Sequence, residues 1–242
     1  MEEKPAILIL HGWGRGNASW QVVKEVLENK GCLVLAPDLP GFGQEPPPKE
    51  PWTLNDYVEW VNDYANKKGL VGFYLLAHSF GGRIAIKFAT KYPDTLRGLI
   101  LVSAAGLESE KTVQEITISI LTPYFKKLSF LPGYELLREF FYHFILKKTD
   151  YLKAKGIMKE VFKNIIKEDL SYLLQEIILP TLIVWGENDK TLPLSEGQAM
   201  NQKIKNSRLE VMKGIDHRPQ IETPEALVNL ILPFLKTEKI WP

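Results

Sequence analysis

Cysteine is almost absent from this chain, since Cys32 is the only one among 242 residues. A disulfide within the chain is therefore impossible, and metal sites built from several cysteines of one chain are excluded. Apolar runs of membrane-spanning length are also lacking, and the first residues, Met-Glu-Glu-Lys-Pro, are acidic where a secretory signal would be basic. We therefore predict a cytoplasmic protein with no membrane segment.

An excess of either charge is lacking as well, because 30 lysine and arginine residues balance 29 aspartate and glutamate residues. The formal net charge of +1 gives no electrostatic reason to expect nucleic acid or an anionic membrane as a partner. Hydrophobic residues make up 45% of the chain and charged residues 24%, as in ordinary globular proteins. A chain of this length and composition suits one large α/β domain with an ample core.

Short, fully apolar runs alternate with amphipathic stretches along most of the sequence. Runs that are apolar on both faces are typical of parallel strands covered by helices on each side. The pattern therefore predicts an α/β fold with a mostly parallel, doubly wound sheet. The predicted strands are residues 6–10, 33–36, 71–77, 97–104, 181–185 and 209–212. The predicted helices are residues 20–29, 54–68, 80–92, 194–204 and 224–235.

Residues 107–178 break this alternation, because they contain amphipathic helical patterns and no convincing strand. An insertion of helices between two strands predicts a cap over the carboxyl edge of the sheet, where such sheets bind ligands. We therefore assign residues 1–106 and 179–242 to the core and residues 107–178 to a helical cap. Most of the aromatic residues of the cap should pack it onto the core, and a minority should face the cleft. The candidates for contact with substrate are Tyr124, Phe125 and Phe141.

Ser79 lies in the segment Ala-His-Ser-Phe-Gly-Gly, at the predicted junction of a strand and a helix. A serine on so sharp a turn is expected to have a strained backbone that projects its hydroxyl into a cleft. The positions two before and two after it should nearly touch, which explains Ala77 and Gly81. Alanine in place of the usual first glycine adds only a methyl group. An ordinary glycine-rich loop gives the same short pattern, so the interpretation depends on partners elsewhere in the chain.

A serine nucleophile needs a base to remove its proton, and the chain has four histidines. His217 follows the last predicted strand, at the same edge of the sheet as Ser79, and is the candidate base. His78 should point away from the serine and be structural. His143 falls among the cap aromatics as a packing or surface residue, and His11 most simply orders the backbone of its own loop.

An imidazole base needs a carboxylate to orient it, and Asp189 comes just after the fifth predicted strand. Glu187 is its nearest rival, whereas Asp216 is excluded because it adjoins His217. The chain order Ser79, Asp189, His217 is the one that this kind of architecture uses for a catalytic triad. We therefore predict these three as nucleophile, orienting acid and base.

An acyl-transfer site also needs amide donors for the developing oxyanion. The backbone N–H of Phe80 lies at the predicted helix start, and that of Trp13 lies in the loop after the first strand. Each such donor is typically worth roughly 2.7–4 kcal/mol in the transition state. His11 and Gly12, in the same loop as Trp13, are candidates for contact with substrate.

Five segments of the chain together resemble the α/β-hydrolase family. They are residues 11–14 (His-Gly-Trp-Gly), residues 38–43 (Asp-Leu-Pro-Gly-Phe-Gly), the segment around Ser79, residues 186–189 (Gly-Glu-Asn-Asp) and residues 216–217 (Asp-His). The resemblance covers nearly the whole chain. The first segment, followed by Trp20, looks most like the carboxylesterases that act on pimeloyl-carrier methyl esters in biotin synthesis.

The resemblance implies hydrolysis of a small carboxylic ester or lactone through an acyl-serine, with no cofactor and no metal. The aromatic cap favours a substrate with an apolar acyl part. Only residues 1–5 precede the first predicted strand, so we expect a sheet of about six strands without the N-terminal hairpin of the family. The second predicted strand should then form one edge, followed by the first, third, fourth, fifth and sixth.

Other activities stay open at this point. C–C bond hydrolysis and perhydrolysis use the same three residues, and a non-catalytic ligand-binding protein can have the same fold. Dehalogenases and epoxide hydrolases of this fold have an aspartate where Ser79 stands, so this sequence argues against both.

Overall fold

The computed structural model describes residues 4–107 and 154–236. Within these residues six strands form one sheet in the order β2-β1-β3-β4-β5-β6, and every neighbouring pair is parallel. The strands are β1 (Ala6–Leu10), β2 (Leu33–Leu35), β3 (Phe73–Ser79), β4 (Leu96–Ala104), β5 (Thr181–Gly186) and β6 (Ser207–Met212). The predicted doubly wound parallel sheet and its strand order are confirmed.

Helices connect the strands and cover both faces of the sheet. Short 3₁₀ turns lie at Asn17–Trp20, Pro93–Thr95 and Leu174–Glu176. The α-helices of the described residues are α1 (Gln21–Asn29), α2 (Leu54–Lys67), α3 (Phe80–Lys91), α4 (Ile157–Ile166), α5 (Leu194–Lys203), α6 (Pro219–Glu222) and α7 (Pro224–Lys236). None of them combines the length and hydropathy needed to cross a bilayer.

The strands contribute side chains alternately to two cores, one on each face of the sheet. In β3, Phe73, Leu75 and Ala77 belong to the core under α2, α3, α4 and α5. Tyr74 and Leu76 belong to the core under α1 and α7. Because side chains of a strand point to opposite faces in turn, both faces of each central strand are buried. This two-sided burial is the reason that the strands read as continuous apolar runs.

The strand that leads to Ser79 begins later than its sequence suggests. Val71 is 82% exposed, and Gly72 has a φ of 59°, which turns the chain before β3 begins at Phe73. The apolar Val71 therefore belongs to the preceding turn. At its other end β3 runs through Ser79 itself, and α3 begins at the next residue.

Residues 154–178 are the described part of the predicted cap. Tyr124, Phe125, Phe141 and His143 lie outside the described residues, and their predicted roles stay predictions. Helix α4 packs onto the loop after β2, where a Cβ on Gly41 would lie 2.5 Å from the sulfur of Met158. After α4 the chain returns to the sheet, because the N–H of Leu170 donates to the carbonyl of Gly106, 2.9 Å away.

Candidate active site

Ser79 stands in a backbone conformation that only glycine adopts at no cost. Its φ is 50° and its ψ is −116°, and as the last residue of β3 it directly precedes α3. Such strain in a non-glycine residue costs about 1–3 kcal/mol and persists only where the surroundings enforce it. The sharp strand-to-helix turn that the sequence predicted is therefore present.

The two glycines after Ser79 allow α3 to start against neighbouring strands. A Cβ on Gly81 would lie 2.5 Å from the carbonyl oxygen of Leu10 and 2.9 Å from that of His11. A Cβ on Gly82 would overlap Ala104, at the end of β4. The sequence argument expected Gly81 to be crowded by Ala77, but the nearest atoms belong to the end of β1. The requirement for small residues thus comes from the neighbouring strands.

Ser79, His217 and Asp189 form one hydrogen-bonded chain at the carboxyl edge of the sheet. Oγ of Ser79 lies 3.2 Å from Nε2 of His217, and Nδ1 of His217 lies 2.8 Å from Oδ2 of Asp189. A carboxylate only accepts hydrogen bonds, so Nδ1 carries the proton and Nε2 is free to accept the serine proton. The Asp189 side chain is fully buried, and that of His217 is 15% exposed.

The Asp189 carboxylate is held in its ionised form. Its second oxygen, Oδ1, accepts hydrogen bonds from the N–H groups of Thr191 and Leu192, both at 2.9 Å. Burial alone would raise the pKa of Asp189, but the hydrogen bond and charge of His217 and these two amides together lower it below its ordinary value. An acceptor that stays charged can orient an imidazole and stabilise its protonated form.

The two rival carboxylates fasten the surrounding loops. Oε2 of Glu187 accepts a hydrogen bond from the N–H of Gly214 at 2.9 Å. Oδ1 of Asp216 accepts from the N–H of Lys190 at 3.1 Å and from that of His217 at 2.8 Å. Both side chains join the loop after β5 to the loop after β6, which brings Asp189 within reach of His217.

His11 has a buried, structural position that differs from the predicted contact with substrate. Its Nε2 accepts a hydrogen bond from the N–H of Leu39 at 2.9 Å, so its Nδ1 donates to the carbonyl of Gly12 at 2.8 Å. The residue is 1% exposed, and burial lowers its pKa, although the Gly12 contact and the charge of Asp38 oppose that shift. With both ring nitrogens engaged, His11 orders the loop that carries Trp13, and the substrate assignment is corrected.

Asp38 also holds that loop in place through hydrogen bonds. This structural role could not be predicted from its residue type alone. Oδ1 accepts from the N–H of Asn17 at 2.6 Å, and Oδ2 accepts from that of Gln44 at 2.9 Å. Gly16 and Gly43 pack directly against the carboxylate, with no room for a side chain. The glycines around an aspartate that follows a strand are the sequence signal for this arrangement.

An aromatic cluster lines the sheet edge beside Ser79. The Trp13 ring lies 4.8 Å from that of Phe42, 5.3 Å from that of Phe80 and 4.9 Å from that of Phe162, measured between centroids. Phe162 is part of α4, so the described part of the cap contacts the loop after β1. Phe80 begins α3, and its N–H is one of those that a helix leaves without an internal partner. The side chains of the two residues predicted to donate to the oxyanion are therefore in contact, and the donation by their N–H groups stays a prediction.

Residues 4–107 and 154–236 contain no group of three or more His, Cys, Asp or Glu side chains that could hold a metal ion. A further contact that the sequence did not predict involves His78, whose Nε2 lies 2.8 Å from the main-chain carbonyl oxygen of His217.

Comparisons with known proteins agree on the fold. The family model described as alpha/beta hydrolase fold matches residues 5–119. Monoacylglycerol lipase ABHD6 of Mus musculus is 27% identical over 263 residues, which cover 96% of this chain and 76% of the relative. The 2-hydroxy-6-oxo-6-phenylhexa-2,4-dienoate hydrolase of Comamonas testosteroni is 27% identical over 259 residues, which cover 97% and 88% of the two chains.

A solved structure has the same architecture. The thermophilic esterase of Thermogutta terrifontis superimposes with a TM-score of 0.72 at 24% identity, and the match covers 96% of this chain and 90% of that one. At this identity the likeness is one of fold. Together with the sheet order, the strained serine turn and the family match over residues 5–119, it shows that the chain has an α/β-hydrolase fold.

Proposed function

We propose that this protein is a serine hydrolase that cleaves carboxylic esters or lactones through an acyl-serine intermediate. The observation that carries the proposal is the hydrogen-bonded chain from Ser79 through His217 to the buried carboxylate of Asp189. In this arrangement the imidazole has one nitrogen fixed by a carboxylate and the other directed at a hydroxyl on a strained turn. A serine so placed is activated for attack on a carbonyl carbon.

The reaction proceeds in two halves on this geometry. Ser79 Oγ attacks the substrate carbonyl while its proton passes to Nε2 of His217, and Asp189 stabilises the imidazolium that forms. The N–H groups of Phe80 and Trp13 donate to the oxyanion. As the tetrahedral intermediate collapses, His217 returns the proton to the leaving alkoxide. Water then attacks the acyl-serine, with His217 again accepting and returning a proton, and the free acid leaves.

The surroundings of the serine favour an apolar acyl group. Trp13, Phe42, Phe80 and Phe162 form a cluster of aromatic rings next to Ser79, and such surfaces bind apolar groups by the hydrophobic effect. The similarity to the mouse lipase and to the bacterial esterase supports ester cleavage in general terms.

C–C bond hydrolysis is the second candidate. It is supported by the Comamonas relative, whose name describes hydrolysis of a 2-hydroxy-6-oxo-dienoate and which matches this chain over almost its whole length. Ser79 and His217 would act as nucleophile and base in this reaction too, but the substrate would be a 2-hydroxy-6-oxo-dienoate. Both candidate activities would use the same hydrogen-bonded residues and would differ only in the substrate.

Two measurements test the proposal. A fluorophosphonate probe should label the wild-type protein on the peptide that contains Ser79, and Ser79→Ala should not be labelled. Nitrophenyl esters of increasing chain length, a series of lactones and a 2-hydroxy-6-oxo-dienoate should then be compared by kcat/KM. Ester or lactone turnover that disappears in Ser79→Ala supports the proposal. Turnover of the dienoate alone would favour the second candidate, and a protein that is neither labelled nor active is not a serine hydrolase.

A further inference from the structure

His78 immediately precedes the proposed nucleophile but lies on the other side of the strand. Because side chains of β3 alternate between faces, His78 follows Tyr74 and Leu76 toward the core under α1 and α7. There its Nε2 contacts the main-chain carbonyl oxygen of His217 at 2.8 Å, and the two rings are 4.8 Å apart. We propose that His78 is a positioning residue that fixes the main chain of His217 and so holds the base against Ser79. The inference rests on the proposed function.

The chemistry of this contact fixes the tautomer of His78. A main-chain carbonyl can only accept, so Nε2 of His78 must carry a proton and donate it. In a neutral imidazole Nδ1 is then unprotonated, and Nδ1 of His78 is buried without a hydrogen-bond partner among the described residues. The ring therefore makes a single directed hydrogen bond, and that bond goes to the residue proposed as the base.

The surroundings of His78 keep it in this neutral state. Burial, followed by repulsion from His217 and His11, lowers its pKa to about 3, although the bond to the His217 carbonyl and the charge of Asp189 oppose the shift. His78 thus stays neutral at every pH at which a histidine base works. It remains a one-donor group and adds no positive charge beside the imidazolium of His217.

With this contact, both the N–H and the carbonyl of His217 are hydrogen-bonded. The N–H of His217 donates to Asp216, which also accepts from the N–H of Lys190 in the loop that carries Asp189. The carbonyl of His217 is held by His78, which belongs to the strand that carries Ser79. One end of the residue is therefore tied to the loop of the acid and the other end to the strand of the nucleophile.

The loop after β1 also shapes the position of the His78 ring. A Cβ on Gly12 would lie 2.8 Å from Nδ1 of His78 and 3.3 Å from Cβ of Ser79. The ring of Trp20 also lies near the His78 ring, at 6.3 Å between centroids. Gly12 therefore contributes to the site by having no side chain, because a Cβ there would crowd the His78 ring and Ser79.

Two substitutions of His78 and one control test the inference. His78→Leu removes the donor and keeps an apolar side chain, whereas His78→Gln keeps an N–H at similar reach. A shift of the base by about 1 Å can cost about 100-fold in rate. We expect His78→Leu to lower kcat and the rate of fluorophosphonate labelling about 10–100-fold with little change in KM. His78→Gln should recover most of the loss.

Tyr74→Phe is the matched control. Tyr74 is on the same strand and face, and its hydroxyl donates to the carbonyl of Leu235 at 3.3 Å, far from the site. This variant loses a buried bond to a main-chain carbonyl, and we expect normal labelling and kcat. Labelling of His78→Leu at the wild-type rate would overturn the inference and leave the proposed function standing. A wild-type protein without labelling would overturn both.

A measurement on the wild-type protein covers the case in which His78→Leu does not fold. Long-range proton–nitrogen NMR of the histidine rings, with the His78 signals assigned from His78→Gln, reports each tautomer. We expect His78 to stay in the Nε2–H form between pH 5 and 8. A His78 that carries its proton on Nδ1, or that becomes protonated in this range, contradicts the inference.

Discussion

Gly186, the last residue of β5, packs against the main chain of Asp216 so closely that a methyl group on it would overlap the Asp216 carbonyl oxygen. The same methyl group would lie 2.6 Å from the carbonyl oxygen of Ile215. Beyond Gly186 the two loops run together, and the N–H of Asn188 donates to Ile215 at 2.9 Å. Because Gly186 has no side chain, its backbone can approach that of residues 215–216 closely. This approach allows Asp189, three residues after Gly186, to reach His217.

We predict that Gly186→Ala separates the acid loop from the base loop. The new Cβ meets backbone, which cannot rotate away, so we expect a loss of about 1–3 kcal/mol in the free energy of unfolding. We also expect kcat to fall at least 10-fold, since displacement of a catalytic group by about 1 Å has effects of about 100-fold. Urea unfolding and ester kinetics on the same preparation provide both numbers.

Gly31→Ala is the control for this change. Gly31 has a φ of 90° in the turn after α1, and a Cβ there meets nothing within 4 Å. The control therefore carries a cost from backbone strain only, and its kcat should match that of the wild type. A Gly186→Ala enzyme with wild-type kcat would show that the two loops do not depend on this contact.

The choice of Asp189 over Glu187 leads to a second prediction. Asp189→Asn keeps the shape of the side chain but presents a neutral amide to Nδ1 of His217, which favours the wrong tautomer. We expect kcat to fall by about 10⁴-fold, as removal of this charge does in other serine triads. Glu187→Gln retains an oxygen that can accept from Gly214 and should stay within about threefold of the wild type. Similar losses in the two variants would contradict the assignment of the acid.

Much of the fold could be predicted from the sequence because the central strands are buried on both faces. Burial on both faces produces the continuous apolar runs Phe73–Ala77 in β3 and Leu99–Val102 in β4, which are typical of parallel strands. Strand order followed from the family resemblance. The exact start of β3 did not, because Val71 is apolar but belongs to a turn that Gly72 creates.

The candidate site was predictable where residue type and chain order carry chemistry. Ser79, Asp189 and His217 each follow a separate strand, and parallel strands bring their carboxyl ends to one edge. The contact between His78 and the carbonyl of His217 joins residues 139 positions apart in the chain. No local pattern encodes such a bond, and the same holds for the engagement of both His11 nitrogens.

The strained backbone of Ser79 leads to a third prediction, which compares two variants that both lack the hydroxyl. Ser79→Ala keeps a Cβ at a φ of 50°, whereas Ser79→Gly adopts this conformation without strain. Relief of strain is worth about 1–3 kcal/mol and the added freedom of an unfolded glycine costs about 0.4–1 kcal/mol. We expect Ser79→Gly to unfold about 2–4 °C above Ser79→Ala in calorimetry. A lower unfolding temperature for Ser79→Gly would show that the turn is unstrained.

The buried neutral state of His78 makes the fold sensitive to acid. The pKa of His78 is about 3 in the folded protein, whereas the ordinary pKa of a histidine exposed in the unfolded chain is 6.5. Above pH 6.5 both folded and unfolded chains hold it neutral, so it adds no pH dependence. Below pH 6.5 His78 becomes protonated in the unfolded chain but stays neutral in the folded chain. The free energy of unfolding therefore falls as the pH is lowered toward 3.

We therefore predict that His78→Gln loses less stability on acidification than the wild type. At pH 4.5, about two units below the unfolded pKa, the His78 contribution amounts to about 3 kcal/mol. His11 titrates in both proteins and cancels in the comparison, and the lowered pKa of Asp189 acts only below its ordinary value of 3.8. Urea unfolding at pH 7.5, 6.0 and 4.5 measures the difference. Parallel loss of stability in the two proteins would mean that His78 becomes protonated in the folded state.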